Sequence, residues 1–145
     1  MISFLKAQRE ELSTLVSGLE LSRLEHRYLP DKWTVKEVFG HMIDTEWIFS
    51  YRMLRIARGD TTELPGMDQN DFMAGVDFSE QSVASMLAAF SGIRAATIEL
   101  GSSFSKEVMD RTGTASGSGI SVRAQLWILA GHCQHHINVL NERYL

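Results

Sequence analysis

The sequence contains few of the residues that mark secreted, fibrous or unstructured chains. It has a single cysteine, Cys133, so no disulfide can form within the chain, as is typical of proteins from a reducing compartment. Proline occurs twice and glycine 11 times in 145 residues, which excludes a collagen-like or disordered composition. Hydrophobic residues make up 44 % of the chain, enough to build the core of one domain over residues 1–145.

Positive charge and long apolar runs are also scarce. The 14 lysines and arginines are outnumbered by 18 aspartates and glutamates, which gives a net charge of −4. Without a basic cluster, a nucleic-acid partner is not expected. No run approaches the roughly 18 apolar residues of a membrane span. Charged residues also begin at Lys6, before a signal-like segment could form. We therefore expect a cytoplasmic protein with no membrane partner.

Apolar residues recur at helical spacing in four long segments, and no alternating strand pattern competes with them. The predicted helices cover residues 2–17, 34–58, 79–101 and 122 to near the C terminus. Thr34 and Glu37 match a capping box at the start of the second helix, and Ser121 is the expected N-cap of the fourth. Helices of this length must bury their apolar faces on one another, so the predicted fold is an all-α four-helix bundle.

Two connections between the predicted helices are long. Residues 59–78 contain Pro65, three glycines and several aspartates, and predict an irregular crossover. Residues 102–120 include a possible short helix at Ser105–Arg111, followed by Thr112–Gly119, which is rich in glycine, serine and threonine. We expect that second stretch to be flexible, as either a mobile lid or a plain connector.

Three of the five histidines fall within residues 132–136. His132 and His136 stand at i and i+4, about 40° apart on one helix, which is the spacing at which two imidazoles share a metal ion. Cys133 occupies the position of the glutamate in a zincin motif, so a zincin protease is not supported. The same spacing also arises by chance on exposed helix faces, so a metal site needs a third ligand.

His41 on the second helix is the best candidate for that ligand, because it borders the apolar face. Bundles assemble metal centres from side chains on facing helices. The alternative is that His41 is a core residue with no ligand role. His26 and His135 are expected to lie outside the site.

Three other polar side chains fall on apolar helix faces. Cys133 is one, and a thiol in that position is usually an inert small hydrophobe rather than a nucleophile. Glu46 on the second helix and Arg94 on the third are the others. We hypothesise that these two residues form a buried ion pair with a structural role.

Several segments of the chain resemble the DinB-like superfamily, the damage-inducible bundle proteins rather than the polymerase that shares the name. The matching segments are Lys32–Glu46, Tyr51–Asp60, Met67–Asp71 and Ala130–His136. The resemblance implies an up-down-down-up bundle with long crossovers, often a homodimer. It also implies a divalent metal ion, commonly zinc or nickel, with three histidine ligands that correspond to His41, His132 and His136. Some related enzymes use low-molecular-weight thiols.

Three neutral imidazoles would leave the full charge of such an ion available for chemistry. The ion could lower the pKa of bound water from roughly 15.7 to about 7, or keep a thiol deprotonated. We expect S-transfer from a small thiol to a small-molecule electrophile. The alternatives are hydrolysis of a small substrate and a non-catalytic module that binds a metal or a small molecule. Asp44 is predicted to orient a ligand or relay a proton, the alternative being a solvated carboxylate.

Overall fold

The computed structural model describes all residues from Met1 to Leu145 and confirms the four-helix bundle. The long helices are α1 (Ile2–Ser17), α3 (Val35–Ala57), α5 (Val83–Ser102) and α7 (Val122–Val139), and the short ones are α2 (Leu21–Leu24), α4 (Gln69–Ala74) and α6 (Lys106–Met109). A π-helical turn over Leu140–Tyr144 extends α7. Helix α3 packs between α5 and α7, and α1 closes the bundle against the same two helices.

The helix starts follow from local capping. The Thr34 hydroxyl accepts from the Glu37 amide at 3.0 Å, and the Glu37 carboxylate accepts from the Thr34 amide at 2.6 Å, which confirms the capping box. Helix α5 begins at Val83 rather than at the predicted Ser79. Its cap is Ser82, whose hydroxyl accepts from the Ser85 amide, and Phe78–Glu80 form a separate 3₁₀ turn.

A two-stranded hairpin occupies much of the second long connection, where the sequence predicts no strand. Strand β1 (Thr112–Ala115) pairs antiparallel with β2 (Ser118–Ser121). Ser116 and Gly117 have φ angles of 52° and 75°, as a tight hairpin turn requires. Each strand has only four residues and contains glycine, so the alternation that marks a strand is too short to detect. The predicted short helix before the hairpin is confirmed as α6, capped by Ser105.

The connection from α3 to α5 is held at both ends. Near its start, the Leu64 amide donates to the Thr114 carbonyl at 2.9 Å, joining the connection to the hairpin. Near its end, the Phe78 ring packs directly on α3, because a Cβ on Gly40 would lie only 2.3 Å from Phe78 Cζ. These two anchors place α4, which lies between them, beside the middle of the bundle.

The apolar core is divided into two clusters by a buried polar layer. One cluster contains Leu12, Phe39, Phe90 and Ile137 among others, and the second contains Leu5, Met53, Ile98 and Leu126 among others. Gln8, Glu46 and Arg94 lie between the clusters in the order of residues along α1, α3 and α5, and all three are buried. The four long helices thus share two apolar layers with a polar layer between them.

The predicted ion pair between Glu46 and Arg94 is the centre of that polar layer. Arg94 Nε lies 2.7 Å from Glu46 Oε1, and Arg94 Nη2 donates to Glu46 Oε2 at 2.8 Å. Arg94 Nη1 donates to Gln8 Oε1 at 3.2 Å, and Gln8 Nε2 donates to the Ala130 carbonyl at 2.9 Å. Burial raises the pKa of the Glu46 carboxyl, and the Arg94 guanidinium opposes that shift. One continuous set of contacts therefore joins all four long helices.

Helix α5 is the one helix whose length and apolar composition would suit a membrane span. In the bundle it packs against α1 and α3. Its fully buried Arg94 is bound to side chains of both of those helices. A helix that packs inside a bundle can have the same length and composition.

Removing the charge of Glu46 is expected to destabilise the protein strongly. A Glu46→Gln variant leaves the Arg94 guanidinium buried without a counterion, and the free energy of unfolding should fall by about 3–5 kcal/mol in urea denaturation. The double variant Glu46→Leu/Arg94→Met should regain most of that loss, because it removes both charges.

The matched control for that experiment is the exposed ion pair between Arg123 and Asp110, whose atoms approach to 2.6 Å. An Asp110→Asn variant should change the free energy of unfolding by less than about 1 kcal/mol, because water solvates both groups. Equal losses in Glu46→Gln and Asp110→Asn would contradict a structural role for the buried pair.

Candidate metal centre

The three histidines singled out from the sequence meet at one point between α3 and α7. Their candidate ligand nitrogens all lie within 4.8 Å of one another. The Nε2 atom of His132 lies 3.1 Å from Nε2 of His41 and 3.2 Å from Nε2 of His136. The one-turn spacing of His132 and His136 and the packing of α3 against α7 produce this cluster.

The spacing of the three nitrogens fits one divalent metal ion. With metal–nitrogen bonds of about 2.0–2.1 Å, tetrahedral ligands lie roughly 3.3 Å apart. The observed separations of 3.1 and 3.2 Å are close to that value. The other ring nitrogens of His41 and His136, their Nδ1 atoms, are buried without a hydrogen-bond partner and do not take part in this convergence. The donor set is therefore chemically suited to a metal, since imidazole nitrogens are common zinc and nickel ligands.

Thr45 orients the central histidine of the cluster. Its Oγ1 lies 2.8 Å from the carbonyl oxygen of His41, to which the hydroxyl donates, and 3.3 Å from Nδ1 of His132. Because the Thr45 hydroxyl donates its proton to the His41 carbonyl, its oxygen is left to accept a hydrogen bond from Nδ1–H of His132. The free lone pair of the His132 ring is then on Nε2. Such a partner is the usual support of a metal-binding histidine. The sequence places Thr45 one turn after His41 but does not reveal this contact.

His41 is buried and both His132 and His136 are half-buried, and this burial favours the neutral form of the three rings. Burial lowers the pKa of His132 to about 4 and the pKa of His136 to about 3, with the neighbouring histidines adding to both shifts. Burial also lowers the pKa of His41. At neutral pH the three imidazoles are therefore uncharged, as a metal ligand must be.

The remaining candidate residues are not part of the group of three histidines. His26 and His135 are exposed, as expected from the sequence, although the His135 ring packs against His136 with 5.1 Å between centroids. Asp44 is half-buried, and burial raises the pKa of its carboxyl. It does not line either cavity beside the histidines, and its role as a proton relay stays a prediction.

Cys133 is buried in the apolar core, in agreement with its position on the apolar face of α7. Burial raises the pKa of its thiol to about 11, so the sulfur is protonated at neutral pH. Because the thiolate rather than the thiol is the nucleophile, Cys133 is chemically inert in the folded protein.

Two cavities, each about 350 Å³ in volume, flank the histidine cluster. The first, which we call the His132 cavity, is lined by eleven residues that include His41, Thr45, Phe49, Arg52, Ser116 and His132. The second is lined by residues that include Tyr28, Trp33, His135 and His136. Gln69 and Asn70 at the start of α4 line both cavities. The connection between α3 and α5 thus lies over the cluster, which small molecules can approach from two sides.

Aromatic rings form part of the walls around the cluster. The Trp33 ring lies against His41 with 5.1 Å between centroids, and the Phe49 ring lies edge-on to His132 at 5.5 Å. These rings limit the movement of the imidazoles and keep water from their faces. The cluster is therefore held between aromatic rings and still borders both cavities.

The chain is similar to a known protein family over most of its length and to a solved structure over nearly all of it. A family model described as the DinB superfamily matches residues 5–140. A solved structure is titled "YfiT from Bacillus subtilis is a probable metal-dependent hydrolase with an unusual four-helix bundle topology". It matches with a TM-score of 0.85 and 20 % sequence identity, over 97 % of this chain and 82 % of that chain, which supports the same fold. None of the curated proteins compared with this chain matches it.

The buried neutral histidines predict an acid-sensitive metal-free protein. The unfolded chain takes up protons at histidines near the ordinary pKa of 6.5, whereas folded His132 and His136 resist protonation until about pH 4 and 3. The free energy of unfolding should therefore decrease as the pH falls through that interval. Urea denaturation of chelator-treated protein at a series of pH values measures the slope.

A His136→Asn variant should reduce that slope, because it removes one group that binds more protons in the unfolded state. His26→Asn, at an exposed position outside the cluster, is the matched control and should retain the wild-type slope. Identical slopes in all three proteins would show that the cluster is not the source of the acid sensitivity.

Proposed function

The chain belongs to the DinB superfamily, and we propose that it is an enzyme in which His41, His132 and His136 bind a catalytic divalent metal ion. The observation that carries the proposal is the convergence of three histidine ring nitrogens within 4.8 Å of one another beside an open cavity. Catalytic metal sites commonly combine three protein ligands with one position left for water or substrate. We propose zinc or nickel as the ion, since imidazole suits both.

The protein residues would act on the bound ion and its ligand in distinct ways. When bound, the ion would supply a strong positive charge that acidifies a coordinated water or thiol. Thr45 holds the lone pair of His132 toward the cluster. Phe49 and Trp33 restrict the rings, and Gln69 and Asn70 border the space in which a small substrate would be held.

We place thiol S-transfer first among the possible reactions, because no buried carboxylate lines the His132 cavity as a general base. Asp68 is the one acidic residue there, and it is exposed and caps α4 by accepting from the Asn70 and Asp71 amides. A thiol coordinated to a metal ion loses its proton without such a base. The thiol sulfur would then bond to a small electrophile, whose leaving group departs with the bonding electrons.

Hydrolysis of a small substrate is the second candidate. The structural relative YfiT is described as a probable metal-dependent hydrolase, and its fold covers nearly the whole of this chain. A divalent metal ion can lower the pKa of coordinated water to about 7. The lack of a buried general base in the His132 cavity is what places this reaction second. Both reactions need the same three histidines and differ in the nucleophile, so the choice between them is experimental.

Each of the three histidines is expected to be required for tight metal binding. In calorimetric titrations of untagged, chelator-treated protein with zinc or nickel, the wild type should bind one ion per chain. His41→Gln should weaken binding at least about 100-fold, because even the loss of a supporting partner costs about 10–100-fold. Thr45→Val should weaken metal binding by only about 10–100-fold, since the three histidine ligands remain.

His135→Gln is the matched control, because it removes an exposed imidazole adjacent to the cluster in the chain. It should bind the metal as the wild type does. Absence of zinc and nickel binding in the wild type would overturn the proposed function, as would equal weakening by His135→Gln and His41→Gln.

The nucleophile can be identified with the metal-loaded protein and two chromogenic assays. Thiol transfer predicts consumption of an aryl halide only when a small thiol is added, with the activity lost in His41→Gln while the far-ultraviolet circular dichroism is retained. Hydrolysis predicts cleavage of a nitrophenyl ester without thiol. Metal binding without turnover in broad thiol and hydrolase panels would instead indicate a binding module.

A further inference from the structure

Arg52 is a buried cation with no negatively charged partner in the protein. Its side chain lines the His132 cavity, and the residue is only 8 % exposed. Nη2 donates to the Pro65 carbonyl at 2.7 Å and to Ser116 Oγ at 3.1 Å. None of the six ion pairs of the protein includes Arg52. Its Nε and Nη1 groups make no hydrogen bond within the protein and remain available.

The other deeply buried arginine shows what Arg52 lacks. Arg94 is fully buried and paired with Glu46, in keeping with the rule that buried charges have counterions. Asp68 lines the same cavity as Arg52, but its carboxylate is exposed and already accepts two backbone amides at the start of α4. The cavity therefore contains a fixed positive charge whose compensation must come from outside the chain.

The position of Arg52 relates that charge to the histidine cluster. His41 and Arg52 are eleven residues apart on α3, which places them within about 20° of one another around the helix. Thr45, which contacts His132, is seven residues before Arg52, or about 10 Å along the axis. Arg52 and two histidines of the cluster, His41 and His132, line the same cavity of about 350 Å³, a volume suited to a small molecule.

The hairpin and the α3–α5 connection fix the guanidinium in place. Ser116, whose hydroxyl accepts from Arg52, occupies the hairpin turn with a φ of 52°. Pro65 follows Leu64, the residue that pairs with the hairpin. Two segments outside the bundle thus converge on one nitrogen of Arg52. The other guanidinium nitrogens are therefore already oriented before a ligand binds. This preorganisation reduces the entropic cost of binding.

We propose that Arg52 binds the carboxylate of a small ligand whose opposite end reaches the histidine cluster. The ligand class is a thiol or other metal-binding compound with a single carboxylate several bonds away. One carboxylate neutralises the one guanidinium of the cavity that has no ion-pair partner in the protein. The histidine end of this inference rests on the proposed function, but the carboxylate end does not.

The test compares two ligands that differ only at the end remote from the metal. Nickel-loaded protein is titrated with ω-mercaptohexanoate and with ω-mercaptohexanol, and thiolate binding is followed by the charge-transfer absorption of the nickel. The wild type should bind the carboxylate at least about tenfold more tightly, because hydrogen bonds to charged groups are among the stronger ones. Arg52→Gln should bind both ligands equally, and Arg52→Lys should retain part of the preference.

Arg111→Gln is the matched control. Arg111 also donates to a backbone carbonyl, that of Ala57 at 2.6 Å, and precedes the hairpin, but it does not line the His132 cavity. This variant should keep the wild-type preference. The inference is overturned if the wild type does not discriminate between the ligands, or if Arg52→Gln still prefers the carboxylate.

A metal-free arm separates this inference from the proposed function. Hexanoate, but not hexanol, should shift the Arg52 Nε–H resonance of the chelator-treated wild type in nitrogen-15 NMR spectra. That shift together with failure to bind zinc or nickel would refute the metal proposal and leave the Arg52 site standing. Metal binding without the hexanoate shift would refute the Arg52 site alone. The wild-type measurements decide the matter even if Arg52→Gln does not fold.

Discussion

The buried contact between Glu46 and Arg94 fixes the arrangement on which the rest of the bundle depends. Through Gln8 and the Ala130 carbonyl this contact joins all four long helices. Because buried hydrogen bonds depend strongly on direction, the helices cannot slide far past one another without breaking them. Ala130 lies two residues before His132 on α7, and Glu46 lies five residues after His41 on α3. The same contacts that divide the core therefore set the register at which the histidines meet.

Two buried arginines serve opposite purposes in an otherwise acidic chain. The charge of Arg94 is neutralised within the protein by Glu46 and serves only to stabilise the fold. Arg52 is held by neutral acceptors, the Pro65 carbonyl and the Ser116 hydroxyl, so its charge remains for a ligand. With uncharged histidines near it, Arg52 is the one cation that lines the His132 cavity, and the one acidic residue of the lining, Asp68, is exposed and caps α4.

Those parts of the structure that depend on local sequence could be predicted. Helical periodicity and the Thr34 cap gave the bundle, and a charged residue on each of two apolar faces was enough to anticipate the Glu46–Arg94 pair. The role of Arg52 could not be predicted, because it depends on where two distant loops cross. The hairpin was not predicted because each of its strands has only four residues. The start of α5 was predicted too early because Ser79, like Ser82, is a residue type that can cap a helix. The homodimer stays a prediction, since one chain contains no information on its partners.

Cys133 has a consequence for a protein proposed to handle reactive thiols. Its sulfur is enclosed by the core and protonated, so it cannot exchange with disulfides or be alkylated while the bundle is folded. With no other cysteine in the chain, every thiolate at the histidine cluster would be one that entered from solution. The protein could thus process electrophiles without modification of its own cysteine.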